Sequence, residues 1–283
     1  MMNIPWHLKS RAFRILSFMP DKALYLAQRY ITGNSQVRVS EIDRGWLHHA
    51  KVIQEKQAET LIEFGAGKTL VQNLYLSQFV KKQTVIDLFA MLELPLLNQA
   101  ATQLRALGVP LPDKEILSLE ELEEVFGITY IAPFDARNTG FETNSFDICV
   151  STNTLEHIPK TDIVSIFKEM HRILKPGGTV SAMIDYSDHY AHSDKSLSRL
   201  HYLQYSEQKW KRHNHSNHYQ NRMRHGHYRD IFTEQGFVST FEDPTDVVSP
   251  DGMTLLPSLL TASDQDYATT GFWVLSKEPP GDV

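Results

Sequence analysis

Cysteine is almost absent: Cys149 is the only one in 283 residues, so no disulfide can form within the chain. That usage predicts a reducing, cytoplasmic setting. Positive charge is not in excess. The 28 Lys and Arg against 34 Asp and Glu leave a formal charge of −6, which excludes a global electrostatic footprint for nucleic acid. No apolar run reaches the length of a membrane span, and no signal-peptide pattern opens the chain. Internal repeats are missing too. The hydrophobic content of 41% is ordinary, and the length suits one α/β domain with additions.

What is present is organised around residues 61–69, Leu-Ile-Glu-Phe-Gly-Ala-Gly-Lys-Thr. Leu61, Ile62 and Phe64 read as a short buried strand, and the apolar residues of 70–76 recur at helical spacing. The glycines therefore sit on a strand-to-helix turn. Gly65 permits a sharp turn, and Gly67 lets backbone approach a ligand closely. Free N–H groups at such a turn favour electron-rich groups. Asp87 follows about 20 residues later, at the end of the next strand, where a carboxylate can accept both hydroxyls of a ribose. Leu70 stands where a G-x-G-x-x-G turn would have its third glycine, which argues against a dinucleotide.

Along the chain, residues 1–39 are basic and interleaved with Trp6, Leu8, Phe13, Ile15, Leu16, Phe18 and Met19, then Leu24, Tyr25, Leu26 and Tyr30. Two amphipathic helices are expected there. They either pack on the main domain or make a weak contact with an anionic membrane surface through residues 1–30. Further helices are expected over 41–55, about 92–107, 115–125, 155–174 and 227–235. Strands are expected over 61–64, 84–87, 127–133, 145–151, 179–184, 237–241 and 271–276. In the 175–178 corner, Gly177 is read as the left-handed residue that closes the helix before it. The alternation predicts a Rossmann-like, doubly wound, mostly parallel seven-stranded sheet with one antiparallel strand at its end. Residues 1–57 form an N-terminal helical extension, and 58–283 form the main domain with a cap inserted at about 186–227.

In this order and at this spacing, several motifs resemble class I S-adenosylmethionine-dependent methyltransferases. They are Glu63-Phe-Gly-Ala-Gly, Asp87, Phe134-Asp135-Ala136, Phe146-Asp147 running on to Leu155-Glu156-His157, and Leu174-Lys-Pro-Gly-Gly178. Thr69 stands where that family often has a third glycine. The resemblance implies S-adenosylmethionine as cofactor. Asp87 and the following Leu88 would meet its ribose, and Gly65, Ala66 and Gly67 would pass beneath it. Asp135 and Ala136 would meet the adenine. Thr152 and Asn153 would line the methionine side, Glu63 would order that pocket, and His157 would support the cofactor loop. A nicotinamide-dependent oxidoreductase on the same fold, or a non-catalytic cofactor-binding scaffold, is the alternative.

Ligands of a doubly wound sheet lie beyond the carboxyl ends of its strands, so the segment after the fifth strand borders the acceptor. Eight of the 13 histidines fall between 189 and 227, interleaved with tyrosines. Such a cap suits a small-molecule or glycan-type acceptor methylated on oxygen. His189 is the expected base, oriented by Asp188 or Asp185. Tyr186, His192 and Arg222 are expected to touch the acceptor, Arg222 through a carboxylate or phosphate. Asp185, Asp188, His189, His192 and Asp194 are all of ligand type. No single helix or strand spacing gathers three of them, so no metal site is expected.

Overall fold

The structure is a computed structural model that describes residues 4–18 and 37–277. Its seven strands are β1 (Thr60–Phe64), β2 (Lys82–Ile86), β3 (Ile128–Ile131), β4 (Phe146–Thr152), β5 (Leu174–Asp185), β6 (Val238–Thr245) and β7 (Thr270–Ser276). They form one sheet in the order β3-β2-β1-β4-β5-β7-β6. The first five pair in parallel, and β7 runs antiparallel between β5 and β6. The expected antiparallel strand therefore exists, but it is the penultimate strand of the sheet and β6 is the edge. The return from Thr245 to Thr270 carries two 3-10 turns and places β7 beside β5 without a crossover α-helix.

Helices cover both faces, which is why β1 and β4 are nearly continuous apolar runs. On one face lie α2 (Arg44–Lys56), α3 (Val71–Leu76), α4 (Leu94–Ala106) and α5 (Leu119–Phe126), burying Ile53, Leu74, Leu97 and Leu122 against β1 and β2. On the other lie α6 (Lys160–Ile173) and α8 (His225–Glu234), burying Phe167, Met170, Tyr228 and Phe232. From β1 the chain winds towards β2 and β3; from β4 it winds towards β5. That reversal opens a crevice at the carboxyl ends of β1 and β4.

Two local expectations need correction. The helix expected over 155–174 is interrupted. Leu155–His157 is a single 3-10 turn, Ile158 is extended, and α6 starts only after Pro159. Proline disfavours helical geometry in the residue before it and is tolerated only at a helix start. Nor does Gly177 close α6. The helix ends at Ile173, with Leu174 already extended, while Gly177 keeps a left-handed φ of +72° inside β5. There the register jumps from Phe146↔Leu174 to Ile148↔Thr179, and residues 175–178 loop out of the ladder.

The extension is no separate body. Helix α1 (Trp6–Leu16) lies on the cap, with Trp6 and Phe13 packed among Tyr190, Leu200, Tyr202 and Trp210. Ser10 Oγ meets His213 Nδ1 at 2.8 Å, and the Trp6 N–H donates to Asp194 at 2.9 Å. The second expected helix, around residues 24–30, lies outside the described residues. The cap holds α7 (Glu207–Trp210) and is tied to β5 by the fully buried Arg224, whose guanidinium donates to the carbonyls of Tyr186, Asp266 and Ala268.

Candidate active site

Gly65 begins the crevice. Its φ is +80°, and a Cβ there would lie 2.4 Å from Thr154 Cγ2, so only glycine fits. Gly67 has φ +76° and only open space where a Cβ would point. Between them the chain folds so that the N–H groups of Gly65, Ala66 and Gly67 face the Asp87 carboxylate. The Tyr130 hydroxyl donates to Asp87 Oδ2 at 3.1 Å and is itself fixed by the N–H groups of Met91 and Leu92. Burial nevertheless outweighs these donors and pushes Asp87 up to about 6.

Asp87 opens onto a cavity of about 360 Å³. Gly65, Leu88, Asp135, Ala136 and His157 line it with Asp87, so six of the sequence candidates meet there. The walls are apolar, from Ile86, Phe134, Ile158 and Ile166. Asp135 faces Arg137, which holds it below the ordinary carboxylate range and also reaches Asp162 at 3.0 Å. A wider depression of about 500 Å³ between α4 and residues 113–115 is lined by none of the strand-end residues.

Beneath the crevice runs a buried chain of polar groups. Glu63 accepts from Gln72 Nε2 at 2.9 Å and from Asn73 Nδ2 at 2.7 Å, yet burial still pushes it up to about 8. The Thr152 hydroxyl donates to Gln72 Oε1 at 2.7 Å. His49, fully buried, touches Thr152 Oγ1 with Nε2 and Ser181 Oγ with Nδ1, both at 2.7 Å. Burial holds it neutral, down at about 3. Since the Thr152 proton is spent on Gln72, His49 Nε2 donates and Nδ1 accepts from Ser181. Asn153 does not line the cavity; it takes a left-handed φ of +49° and donates its N–H to Met183 O.

On the far side of His157 lies a group of acids and imidazoles. His157 and His189 have ring centroids 4.9 Å apart, as do His189 and His192. Asp185, at the end of β5, stands 3.4 Å from Nε2 of both His189 and His192. The two imidazoles hold its carboxylate well below the ordinary range. Asp188 is elsewhere: it is fully buried, accepts the Tyr190 N–H, and pairs with His201 Nδ1 at 2.9 Å. The expected Asp188–His189 pairing is therefore not formed, because the turn at 187–190 directs the two side chains apart.

Two acceptor candidates also point elsewhere. The Tyr186 ring is buried under the sheet, its hydroxyl accepting from Trp273 Nε1 at 2.8 Å. Arg222 is consumed inside the cap by the carbonyls of Tyr202 and Tyr205 and by Glu207. His192 does stand at the cluster, next to Ser187 Oγ at 2.9 Å. Sequence reading missed His49, Gln72, Tyr130, Thr154 and the ligand character of Glu156. Only Glu156, inside the Leu-Glu-His motif, carried a local signal.

Residues 62–182 match the methyltransferase domain family. A demethylmenaquinone methyltransferase of Staphylococcus epidermidis is 44% identical over 63 residues, 22% of either chain. A sterol 4-C-methyltransferase of Caenorhabditis elegans is 32% identical over 78 residues, 27% of this chain and 23% of that one. The matched segments thus span about a quarter or less of these relatives. Among solved structures, an S-adenosylmethionine-dependent methyltransferase of Mesorhizobium loti is 16% identical with a TM-score of 0.44, covering 82% of this chain and 97% of the other. The crevice between β1 and β4 lies within the segment, residues 62–182, that matches the methyltransferase domain family.

Proposed function

We propose that the chain methylates a hydroxyl of a small-molecule or glycan-type acceptor, using S-adenosylmethionine. The observation that carries this is the juxtaposition of two sites at His157, which lines the first and has its ring 4.9 Å from His189 of the second. One is the apolar cavity with Asp87 at its edge, and the other is the Asp185–His189–His192 group.

The cavity fits the cofactor. Asp87 is a buried acceptor for a ribose diol, held by the Tyr130 hydroxyl beside the glycine turn, and the space beside Gly67 is open. Ile86, Phe134 and Ile158 suit a flat heterocycle, with Asp135 and Ala136 at its polar edge. Glu63, Thr152 and the His49 chain hold the floor beneath the methionine end. When bound, S-adenosylmethionine supplies an electrophilic methyl carbon. The protein's own task is then to bind, orient and take away a proton. The Asp185–His189 pair is the group beside the cavity suited to receive a hydroxyl proton at His189 Nε2, where the Asp185 carboxylate 3.4 Å away would stabilise the imidazolium so formed. Of the two acids expected to assist His189, Asp185 thus takes that part rather than Asp188. The cap and α1 close the acceptor side.

Residues 1–57 are read as an extension that completes the cap, and 58–283 as the methyltransferase domain. Helix α1 bears exposed Leu8 and Ile15 beside Arg11 and Arg14, with exposed Ile4 just before it and Phe18 just after it. That stripe supports a weak contact with an anionic membrane surface.

Calorimetric titration with S-adenosylhomocysteine, with NADH alongside, tests the reading. Micromolar binding of the former alone is expected. Binding of NADH alone would make the chain an oxidoreductase. Binding of S-adenosylhomocysteine with no methyl transfer to any hydroxylated acceptor would leave a scaffold.

A further inference from the structure

Among the described residues, Glu156 is the buried carboxyl with both oxygens unpartnered. It is 2% exposed, and neither carboxyl oxygen makes a hydrogen bond; only the backbone N–H groups of Glu156 and Asp185 lie near. A carboxyl left so is costly unless something compensates it. It stands with His157 and His189, each offering one ligand atom, all within 4.8 Å of one another. A second triad, Asp185, His189 and His192, meets the same criterion and shares His189.

The imidazoles are prepared for this. His157 Nδ1 lies 2.9 Å from the carbonyl oxygen of Tyr219. A carbonyl only accepts, so Nδ1 carries the proton and the lone pair sits on Nε2. This is the arrangement by which a backbone carbonyl orients a metal-ligating histidine. His189 Nε2 is buried and makes no well-formed hydrogen bond; its nearest acid is Asp185 Oδ2, 3.4 Å away. Ligand-type atoms of Glu156 and His157, from the 3-10 turn after β4, thus meet one from His189, in the loop after β5, and the Glu156 carboxyl has no hydrogen-bond partner among the described residues. The sequence separation, Glu156 against Asp185, is why local spacing does not reveal them.

We propose that Glu156, His157, Asp185, His189 and His192 form a binding site for one divalent first-row transition-metal ion. Imidazole with carboxylate suits zinc, cobalt, manganese or iron(II), while an oxygen-only set would suit magnesium or calcium. The ion would neutralise two carboxylates that otherwise share a buried space. Its binding does not depend on the methyl-transfer reading. Its purpose does: beside His157 it would hold the acceptor hydroxyl at the cavity mouth, with His189 serving as ligand in place of free base.

The test uses the full chain, stripped with a chelator and titrated with Co²⁺. Visible absorption follows binding, Zn²⁺ competes, and S-adenosylhomocysteine affinity is measured in parallel. One equivalent of Co²⁺ is expected, displaced by Zn²⁺, with the melting temperature raised. Glu156→Gln and His189→Ala should each weaken binding by at least about tenfold. His213→Ala, in the histidine-rich cap but packed on α1, should leave it unchanged. Glu156→Gln also removes an uncompensated acid, so the metal-free variant should melt no lower than the parent while losing the metal-induced rise. No uptake by the stripped parent overturns the proposal. So does uptake that survives both substitutions, or that falls equally in His213→Ala. Metal failure with intact S-adenosylhomocysteine binding leaves the proposed methyl transfer standing; the reverse result leaves the metal site and removes the methyltransferase reading.

Discussion

His49 Nε2 donates to the Thr152 hydroxyl at 2.7 Å, joining a helix that precedes the matched domain to the strand end beneath the crevice. The bond fixes one direction for every proton from Ser181 through His49, Thr152 and Gln72 to Glu63. His49→Leu leaves the Ser181 hydroxyl without its acceptor and Thr152 without a donor. A loss of about 2–4 kcal/mol in unfolding free energy is expected, combining unsatisfied polar groups with imperfect packing. Urea denaturation measures it; a change under 0.5 kcal/mol would show that water replaces the imidazole at no cost.

Glu63 gives the stability of the protein a sign with pH. Its folded pKa, about 8, lies above the unfolded value near 4.5. The folded state therefore keeps a proton that the unfolded chain releases. Stability from this group is complete below pH 4.5 and is lost as pH rises through 8, at up to about 1.4 kcal/mol per pH unit. Between pH 6.5 and 8, above the Asp87 and His49 transitions, Glu63→Gln should flatten the slope. An unchanged slope would mean that Glu63 is ionised in the folded protein.

Asp87 should make cofactor binding pH-dependent. A ribose diol prefers the ionised carboxylate, and Asp87 ionises near 6 in the free protein, with Glu63 the nearest acid to oppose it. Affinity for S-adenosylhomocysteine should rise from pH 5 to 7 and then level off. Asp87→Asn should weaken it by about 1.5–3 kcal/mol per charged hydrogen bond lost and remove the pH dependence. Calorimetry at several pH values decides; equal affinity for parent and variant would take Asp87 out of the site.

Asp185 and Asp188, three residues apart, should separate function from folding. Asp185→Asn is expected to leave S-adenosylhomocysteine affinity within about twofold while methyl transfer falls by about 10²-fold or more. Asp188→Asn should instead lower cap stability by about 1–3 kcal/mol, because His201 loses a buried charged partner. The reverse pattern would restore the Asp188–His189 pairing.

Helix α1 carries a separate prediction. Ile15 and Phe18 are 70% and 83% exposed beside Arg14. The protein should sediment with phosphatidylserine vesicles at low salt, and Ile15→Ser with Phe18→Ser should abolish this. Failure of the parent to sediment ends the membrane proposal.

Chain-local chemistry determined most of the framework. Alternating apolar runs specify the strands and helices, because burial on both faces of a parallel sheet demands them. The glycine pair at 65 and 67 and the acid at 87 mark the crevice, because a turn with left-handed φ needs glycine. Where the sequence misleads, it does so at Pro159, which ends one turn and starts the next helix, and at Gly177, whose left-handed φ serves a strand. Which acid faces His189 was a matter of tertiary structure alone. Asp185 and Asp188 are equally plausible by spacing, and only the path of the turn after β5 turns one to His189 and the other to His201. The same holds for His49 and Glu156. Each draws its meaning from partners far away in sequence, brought together by sheet order and helix packing; the Leu-Glu-His motif marks Glu156 locally, but no local pattern names those distant partners.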